Sequence, residues 1–409
     1  MLLILAALIV IGYAIIAWRD FPLALKVLMA LLPTYLLRFN IGPIPTTLLE
    51  LLVIASIIIF TIKYQAWKLF PLQILGPYRT PLLLLIAAAS VSAALAPDIF
   101  SALGIWKAFY LEPMAVLIMM RVTWKAKNDY LEAIGALGAS VGIMTVFALF
   151  QVTTGFGIPL PWDIERRATG FFEYPNALGL FVAPIVALTT TLAILTKKHR
   201  KSLLSLSAIG ILAILLAQTE AALIAIPIGM LCSLLCANIS SKQKIALIGA
   251  TCLLGVTALL IPITREKILL RDWSGQARLH TWQETFELLK DHPLKGAGLN
   301  GFPIAITPYH DATLFETFQY PHNIILNVWV ELGALGLIAL IAFMLATAKV
   351  VRSSNHDPLT LAAFAALCTL CIHGLVDVPL MKNDLAIIGA LLFAMMLSRA
   401  QSTPLPERK

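Results

Sequence analysis

Charge is scarce in this chain of 409 residues. Only 13% are Asp, Glu, Lys or Arg and 59% are hydrophobic, against roughly 25% charged in a soluble domain. That excludes an ordinary soluble globular protein. Cysteine is sparse as well, and all five (Cys232, Cys236, Cys252, Cys368 and Cys371) lie in or at the edge of apolar runs. They read as small packing residues. The Cys-Thr-Leu-Cys pair at 368–371 has a redox or metal spacing but lacks the further ligands that zinc needs. Met1 opens directly into an apolar run, with no basic n-region and no small-residue cleavage site, so a retained first segment is expected rather than a removable signal peptide.

What is present is a series of apolar runs long enough to cross a bilayer, which takes roughly 17 to 25 residues each. They fall near 1–18, 21–38, 45–62, 80–97, 99–120, 130–152, 174–196, 202–218, 220–238, 245–263, 322–346, 359–377 and 383–399. The fold class is therefore an all-α polytopic membrane protein of 12 or 13 spans, a single membrane domain over 1–409. The count turns on whether the first two segments both cross, and their orientation is left open.

The net charge of +8 would suit nucleic acid, but its distribution does not. Basic residues gather in short loops at Lys63/Lys68/Arg79, Arg121/Lys125/Lys127, Lys197/Lys198/Arg200/Lys201, Lys242/Lys244 and Lys349/Arg352, and at the C-terminal Arg399/Arg408/Lys409. This is the positive-inside pattern, and it places those loops and the C-terminus in the cytoplasm. A smaller loop at 153–173 and a large one at 264–321 then face outward, and no nucleic-acid partner is expected.

Polar residues inside spans are tolerated only toward a protein interior or a cavity. Lys107, Tyr110 and Glu112 are such residues, and a structural Lys–Glu pair within the bundle is read ahead of a direct substrate contact. The large loop is the only long polar segment, and loops of that size usually carry function or are disordered. Leu279, Trp282, Phe286 and Leu289 recur in it at helical spacing, predicting an amphipathic helix, and HPLKGAGLNGF then ends that helix in a turn-rich stretch.

Four groups of residues could carry chemistry. His322 stands between the helix breaker Pro321 and Asn323 at the lip of the next span. Histidine ordinarily titrates near neutral pH, which suits a general base; an interfacial histidine bonded to a neighbouring loop is the other reading. In the smaller loop, Arg166 and Arg167 precede Gly170, which would let a ligand approach the backbone, and Asn176 caps the next span or lines a cavity. Arg278 precedes the amphipathic stretch. In the stretch 373–385, Asp377 either orients a basic residue of the site or pairs with Lys382. Arginine's planar fork matches phosphate oxygens two at a time. Two outward arginines and one outward histidine above a lipid-embedded bundle thus suit a lipid-linked pyrophosphate. Guanidinium groups can neutralise such a leaving group without a metal or other cofactor. The segment 39–46 also lacks the carboxylates of an acidic first loop.

At these residues the chain resembles the O-antigen ligase and O-antigen polymerase family of bacterial membrane glycosyltransferases. The stretches that carry the resemblance are RATGFFEYPNALG at 167–179, RLHTWQETFELLKDHPLKGAGLNGF at 278–302 and HNIILNVWVELG at 322–333. The resemblance implies a membrane glycosyltransferase C fold. It also implies metal-independent, inverting transfer of a glycan from an undecaprenyl-pyrophosphate carrier to a hydroxyl of a glycolipid, glycan or protein at the outer face of the cytoplasmic membrane. Position by position, it implies His322 as the base and Arg278 and Arg167 as pyrophosphate ligands, with Arg166 the weaker candidate. Asn323, Asn176, Gly170 and Asp377 are then supporting residues. The large loop is compact, so its acceptor site is expected to differ from that of lipid A-core ligases. A polymerase using a second lipid-linked glycan as acceptor stays open beside the ligase. The alternative of another class is a polysaccharide or lipid transporter, which should show repeat symmetry or paired broken helices that this sequence lacks.

Overall fold

Within lipid every backbone N–H and C=O must find its partner inside its own segment, so these apolar runs fold as helices. The computed structural model describes residues 2–65, 72–311 and 315–398. Lys68 and the C-terminal Arg399, Arg408 and Lys409, used above for orientation, lie outside them. In chain order the helices are α1 (Leu2–Arg19), α2 (Phe21–Ala30), α3 (Leu48–Tyr64), α4 (Arg79–Ala94), α5 (Ile99–Trp106) and α6 (Glu112–Thr123). There follow α7 (Lys127–Thr154), α8 (Pro175–Leu195), α9 (Arg200–Ala217), α10 (Glu220–Leu235) and α11 (Ser241–Leu260). The large loop holds α12 (Pro262–Ile268), α13 (Trp273–Asp291) and α14 (Phe302–Ala305), before α15 (Ile324–Ser353), α16 (Pro358–His373) and α17 (Asn383–Met396). A hairpin of β1 (Arg38–Ile41) and β2 (Ile44–Thr47) joins α2 to α3.

Among the described residues, seven helical stretches are long and apolar enough to cross a bilayer, including the continuous α5–α6 run Ile99–Thr123. Five shorter apolar helices and α3 bring the set to the thirteen apolar segments of the sequence. The second of those segments is broken. Helix α2 stops at Ala30, and a 3₁₀ turn over Leu32–Leu36, with Pro33 inside it, carries the chain on to the hairpin.

The helix ends alternate between two faces. On one face Lys26 Nζ lies 2.8 Å from Asp129, Lys63 Nζ donates to the Trp18 carbonyl at 2.8 Å, and Lys127 pairs with Asp357. On the other, Asn300 donates to Ser101, Arg167 reaches the carbonyls that end α9, and Ile324 N–H donates to the Gly374 carbonyl at 2.7 Å. That second face carries His322. Helix α8 is buried along most of its length and serves as the central post. Helices α10 and α16 approach so closely that a Cβ on Gly229 would collide with Thr369.

The Lys–Glu pair within the bundle forms between Lys107 and Glu50 of α3, because α3 runs alongside and presents its carboxylate to the ammonium. The stripe expected in the large loop needs correction. Helix α13 forms, but its buried stripe is Thr281, Glu284, Thr285, Leu288 and Leu289, while Phe286 is 47% exposed. The buried face packs against α15, through Leu326 and Val330, and against the loop that follows α13, and it includes a carboxylate. Glu284 accepts the Asp311 N–H at 3.0 Å and has His310 Nδ1 at 3.0 Å.

Helix α15 is interrupted. Gly333 has φ 64° and ψ −164°, and a Cβ there would collide with the Leu294 carbonyl. The loop after α13 lodges in that break. Ala334 N–H donates to the Leu294 carbonyl at 2.9 Å, Ala297 N–H to the Val330 carbonyl at 2.7 Å, and Trp329 Nε1 to the Pro293 carbonyl at 2.8 Å. The carboxylate of Glu331 accepts the Asn300 N–H. Backbone groups freed by the break are thereby satisfied by the loop.

Candidate active site

The turn before α15 is built to hold His322 outside the helix. Asn323 caps α15, its side-chain oxygen accepting the N–H groups of Ile325 at 3.0 Å and Leu326 at 3.1 Å, which satisfies two donors that a helix start otherwise leaves free. Its amide nitrogen donates to the Leu375 carbonyl at 3.0 Å. His322 itself sits at φ 51°, a left-handed conformation uncommon for a side chain of this size and frequent at functional sites. Trp282 Nε1 of α13 fixes the turn by donating to the Pro321 carbonyl at 2.7 Å.

These bonds tie the start of α15 to the connection between α16 and α17, and the imidazole meets Asp377 there. Nδ1 of His322 lies 3.6 Å from Asp377 Oδ1, within ion-pair reach and longer than a formed hydrogen bond. Asp377 is buried, and its Oδ1 accepts the Val378 N–H at 2.8 Å. Burial pushes its carboxyl up, but His322, Lys382 and His373 outweigh that and hold it well below the usual carboxylate range. Asp377 is therefore an anion beside the imidazole. The ring is walled by Tyr320 at 4.6 Å and Phe318 at 5.0 Å between centroids.

Arg278 stands one helical turn before Trp282 on α13. Its Nε donates to the Val376 carbonyl at 2.9 Å and its Nη1 to Ser274 Oγ at 2.7 Å. The guanidinium is thus anchored to the backbone carbonyl just before Asp377. Helix α13 clamps both the His322 turn and the 374–382 connection, which explains why the large loop and the end of the chain converge on one site.

The smaller loop forms a separate cluster. Arg167 donates to the carbonyls of Ala217 at 3.3 Å and Gln218 at 3.2 Å, reaches Asn176 Oδ1 at 3.4 Å, and lies 5.2 Å over the Trp162 ring. It caps the C-terminus of α9, where a cation is favoured. Arg166 is exposed and turns the other way, toward the Val152 carbonyl of α7 at 3.5 Å. Gly170 is buried, with its N–H and C=O both bonded to the Gln151 amide, so its left-handed backbone serves a turn rather than opening a path to a ligand. Asn176 orients Arg167.

Two residues with no part in the site as read from sequence join the two clusters. The Tyr174 hydroxyl lies 3.4 Å from that of Tyr320 and bonds the Lys382 ammonium. Lys382 therefore does not form a local bridge with Asp377, and of the two roles weighed for Asp377 the geometry has it facing His322. Burial lowers the Lys382 pKa, but Tyr174 and Asp377 more than offset this and raise it above the ordinary lysine value. Tyr174 had no signal beyond its place before Pro175. The spacing HGLVDVPLMKND pointed at Lys382 without naming its partner.

Helices alternating between two faces, with an imidazole, a carboxylate and a guanidinium converging on one of them, define a polytopic helical membrane protein with a polar site at the helix ends. Residues 185–341, from within α8 to within α15, match the family model described as O-antigen ligase. That match covers 157 of the 409 residues and agrees with the resemblance that the motifs carry to the O-antigen ligase and polymerase family. The matched stretch contains Arg278, His322 and Asn323, while Arg166, Arg167, Gly170, Asn176, Asp377 and Lys382 fall outside it. A search of curated proteins finds no match.

Proposed function

We propose that this protein transfers a glycan from an undecaprenyl-pyrophosphate carrier to an acceptor hydroxyl at the outer face of the bacterial cytoplasmic membrane, inverting the anomeric centre and using no metal. One observation carries the reading: the polar site opens beside an apolar cavity. That cavity, about 480 Å³, is lined by Ile324, Val328 and Met381 near His322 and by Phe343 and Thr347 deeper in the bundle. A donor with a charged head and a long hydrocarbon tail fits polar and apolar walls set side by side.

With Nδ1 turned to Asp377, Nε2 of His322 faces outward and accepts the proton of the acceptor hydroxyl. The hydroxyl oxygen bonds the anomeric carbon from the side opposite the pyrophosphate, the anomeric C–O bond breaks, and the electron pair leaves on the pyrophosphate. Asp377 stabilises the imidazolium that forms, as a carboxylate does behind a catalytic histidine. Arg278 balances the negative charge that grows on the leaving group. The His322 face is then outward, with the C-terminus in the cytoplasm. A ligase and a polymerase share this chemistry and differ in the acceptor.

The reading is tested with purified protein in proteoliposomes, supplied with a lipid-linked glycan and either a core-type glycolipid or a second lipid-linked glycan. Transfer to the glycolipid marks a ligase, and chain extension marks a polymerase. Folded protein that transfers to neither sinks the reading.

A further inference from the structure

A second cation acts on His373 together with Arg278, and neither the sequence reading nor the family match gives it a part in the site. Lys382 directly precedes α17, and its ammonium bonds the Tyr174 hydroxyl and lies 4.7 Å from the centroid of that ring. Among the described residues no carboxylate forms an ion pair with it, although Asp377 and Asp384 act on it at longer range. An ammonium has three donors, and a single phenol uses one of them. Drawing such a cation out of water without a bonded counter-ion is costly, so the arrangement is understandable where an anion arrives. A second group beside it agrees. His373 is buried with Nδ1 lacking a hydrogen-bond partner, and Asp377, Lys382 and Arg278 all act on it electrostatically. Two cations therefore act on the same buried imidazole, and the carboxylate that acts on it with them, Asp377, already faces His322.

We propose that Lys382 is a phosphate ligand of the donor site, binding the carrier pyrophosphate together with Arg278 and holding it as it leaves. This rests on the lipid-pyrophosphate reading above. Lys382 adds no covalent step. It exchanges a neutral phenol for phosphate oxygens, and Tyr174 is the partner that holds the ammonium until the donor arrives. The competing role is a structural counter-charge for Asp377 and Asp384.

The test uses the full chain in lipid nanodiscs, titrated with undecaprenyl pyrophosphate and, as competitor, inorganic pyrophosphate. Lys382→Met should weaken lipid binding by about 10- to 100-fold, the range commanded by a hydrogen bond to a charged group. Lys382→Arg, which keeps the charge and can offer a fork, should stay within about threefold of wild type. Inorganic pyrophosphate should compete less well against Lys382→Met in the same proportion. Tyr174→Phe keeps the ring and removes only the hydroxyl, so binding should be equal or tighter.

Lys382→Met that remains folded by Tm and binds undecaprenyl pyrophosphate with wild-type affinity overturns the proposal. So does a loss of about tenfold or more in Tyr174→Phe, since the hydroxyl would then be the ligand; this second variant decides the matter if Lys382→Met does not fold. If folded wild-type protein fails to bind undecaprenyl pyrophosphate at all, the donor reading falls and this proposal with it. If the wild type binds and Lys382→Met is unchanged, only the role of Lys382 falls.

Discussion

The imidazole of His322 and the carboxylate of Asp377 face one another at 3.6 Å across two elements that are 55 positions apart in the chain, as 377 − 322 = 55. Neither residue belongs to the helix that the other starts or ends. What brings them together is backbone: the Ile324 N–H on the Gly374 carbonyl, and the Asn323 amide on the Leu375 carbonyl. From this pairing, and from the cations around it, the following outcomes are expected.

His322→Ala should lower glycan transfer by roughly 100-fold or more, as loss of a general base does, with donor binding retained. His322→Gln separates catalysis from bracing, because it keeps a hydrogen bond and cannot take a proton at neutral pH. Near-normal transfer by His322→Gln would end the base assignment.

Asp377→Asn should cut turnover by about tenfold or more, since the imidazolium loses its anion. It also has a stability signature. His322, Lys382 and His373 together outweigh burial and hold the Asp377 carboxyl below its ordinary value. A depressed folded pKa contributes stability above the unfolded aspartate pKa of about 3.9, and that contribution is lost as pH falls toward the folded value. The Tm difference between wild type and Asp377→Asn should therefore be steady from about pH 7 to 5 and shrink below about pH 4. A difference that widens on acidification would mean that the native carboxyl is protonated.

The two arginines should behave differently. Arg278→Ala should weaken donor binding and turnover together, and Arg278→Lys should rescue poorly, because a point charge does not reproduce the fork. Arg167→Ala should weaken both and also lower Tm, because the side chain caps α9. If Arg167→Ala lowers Tm while turnover per folded molecule stays normal, the smaller loop has no part in holding the donor.

Transfer should continue in EDTA, because fixed guanidinium and ammonium groups carry the leaving-group charge. Loss on chelation with recovery on adding a divalent ion would overturn this, and Asp163, Glu165 and Glu173 would then be the acidic side chains to test as ligands.

A reporter joined after Lys409 should be active in a form that works in the cytoplasm, and one inserted in the 264–321 loop in a form that works outside. The reverse result would turn the site toward the cytoplasm and overturn the outward-facing assignment.

Much of the fold was legible because membrane helices announce themselves by length and polarity: 12 or 13 spans were read, and among the described residues seven helical stretches are long and apolar enough to cross, with shorter apolar helices at the other segments. His322, Asn323 and Arg278 were legible because breakers and charges stand out against such a background. Pairings were not. Lys107 could be seen to need a carboxylate, but whether Glu112 in its own segment or Glu50 on α3 supplied it depended on helix packing. Phe286 was read into the apolar stripe of α13 and is exposed, whereas the buried face carries Glu284, which binds the loop at Asp311. Tyr174 and Lys382 meet across 208 positions, and no local pattern encodes such a contact. The break at Gly333 was hidden because its reason lies in a different segment, the carbonyl of Leu294.

That break sets the unit of exchange for engineering. The nine residues from Ile324 to Leu332 are stitched to 293–300 through Val330, Trp329 and Glu331, and Ala334 extends the seam past the glycine. A chimera that imports only the large loop from a relative, to change the acceptor, would sever this seam and loosen the support under His322. The portable module is the loop together with the first ten residues of α15, cut just after Gly333, where the helix already ends one run of φ and ψ and begins another.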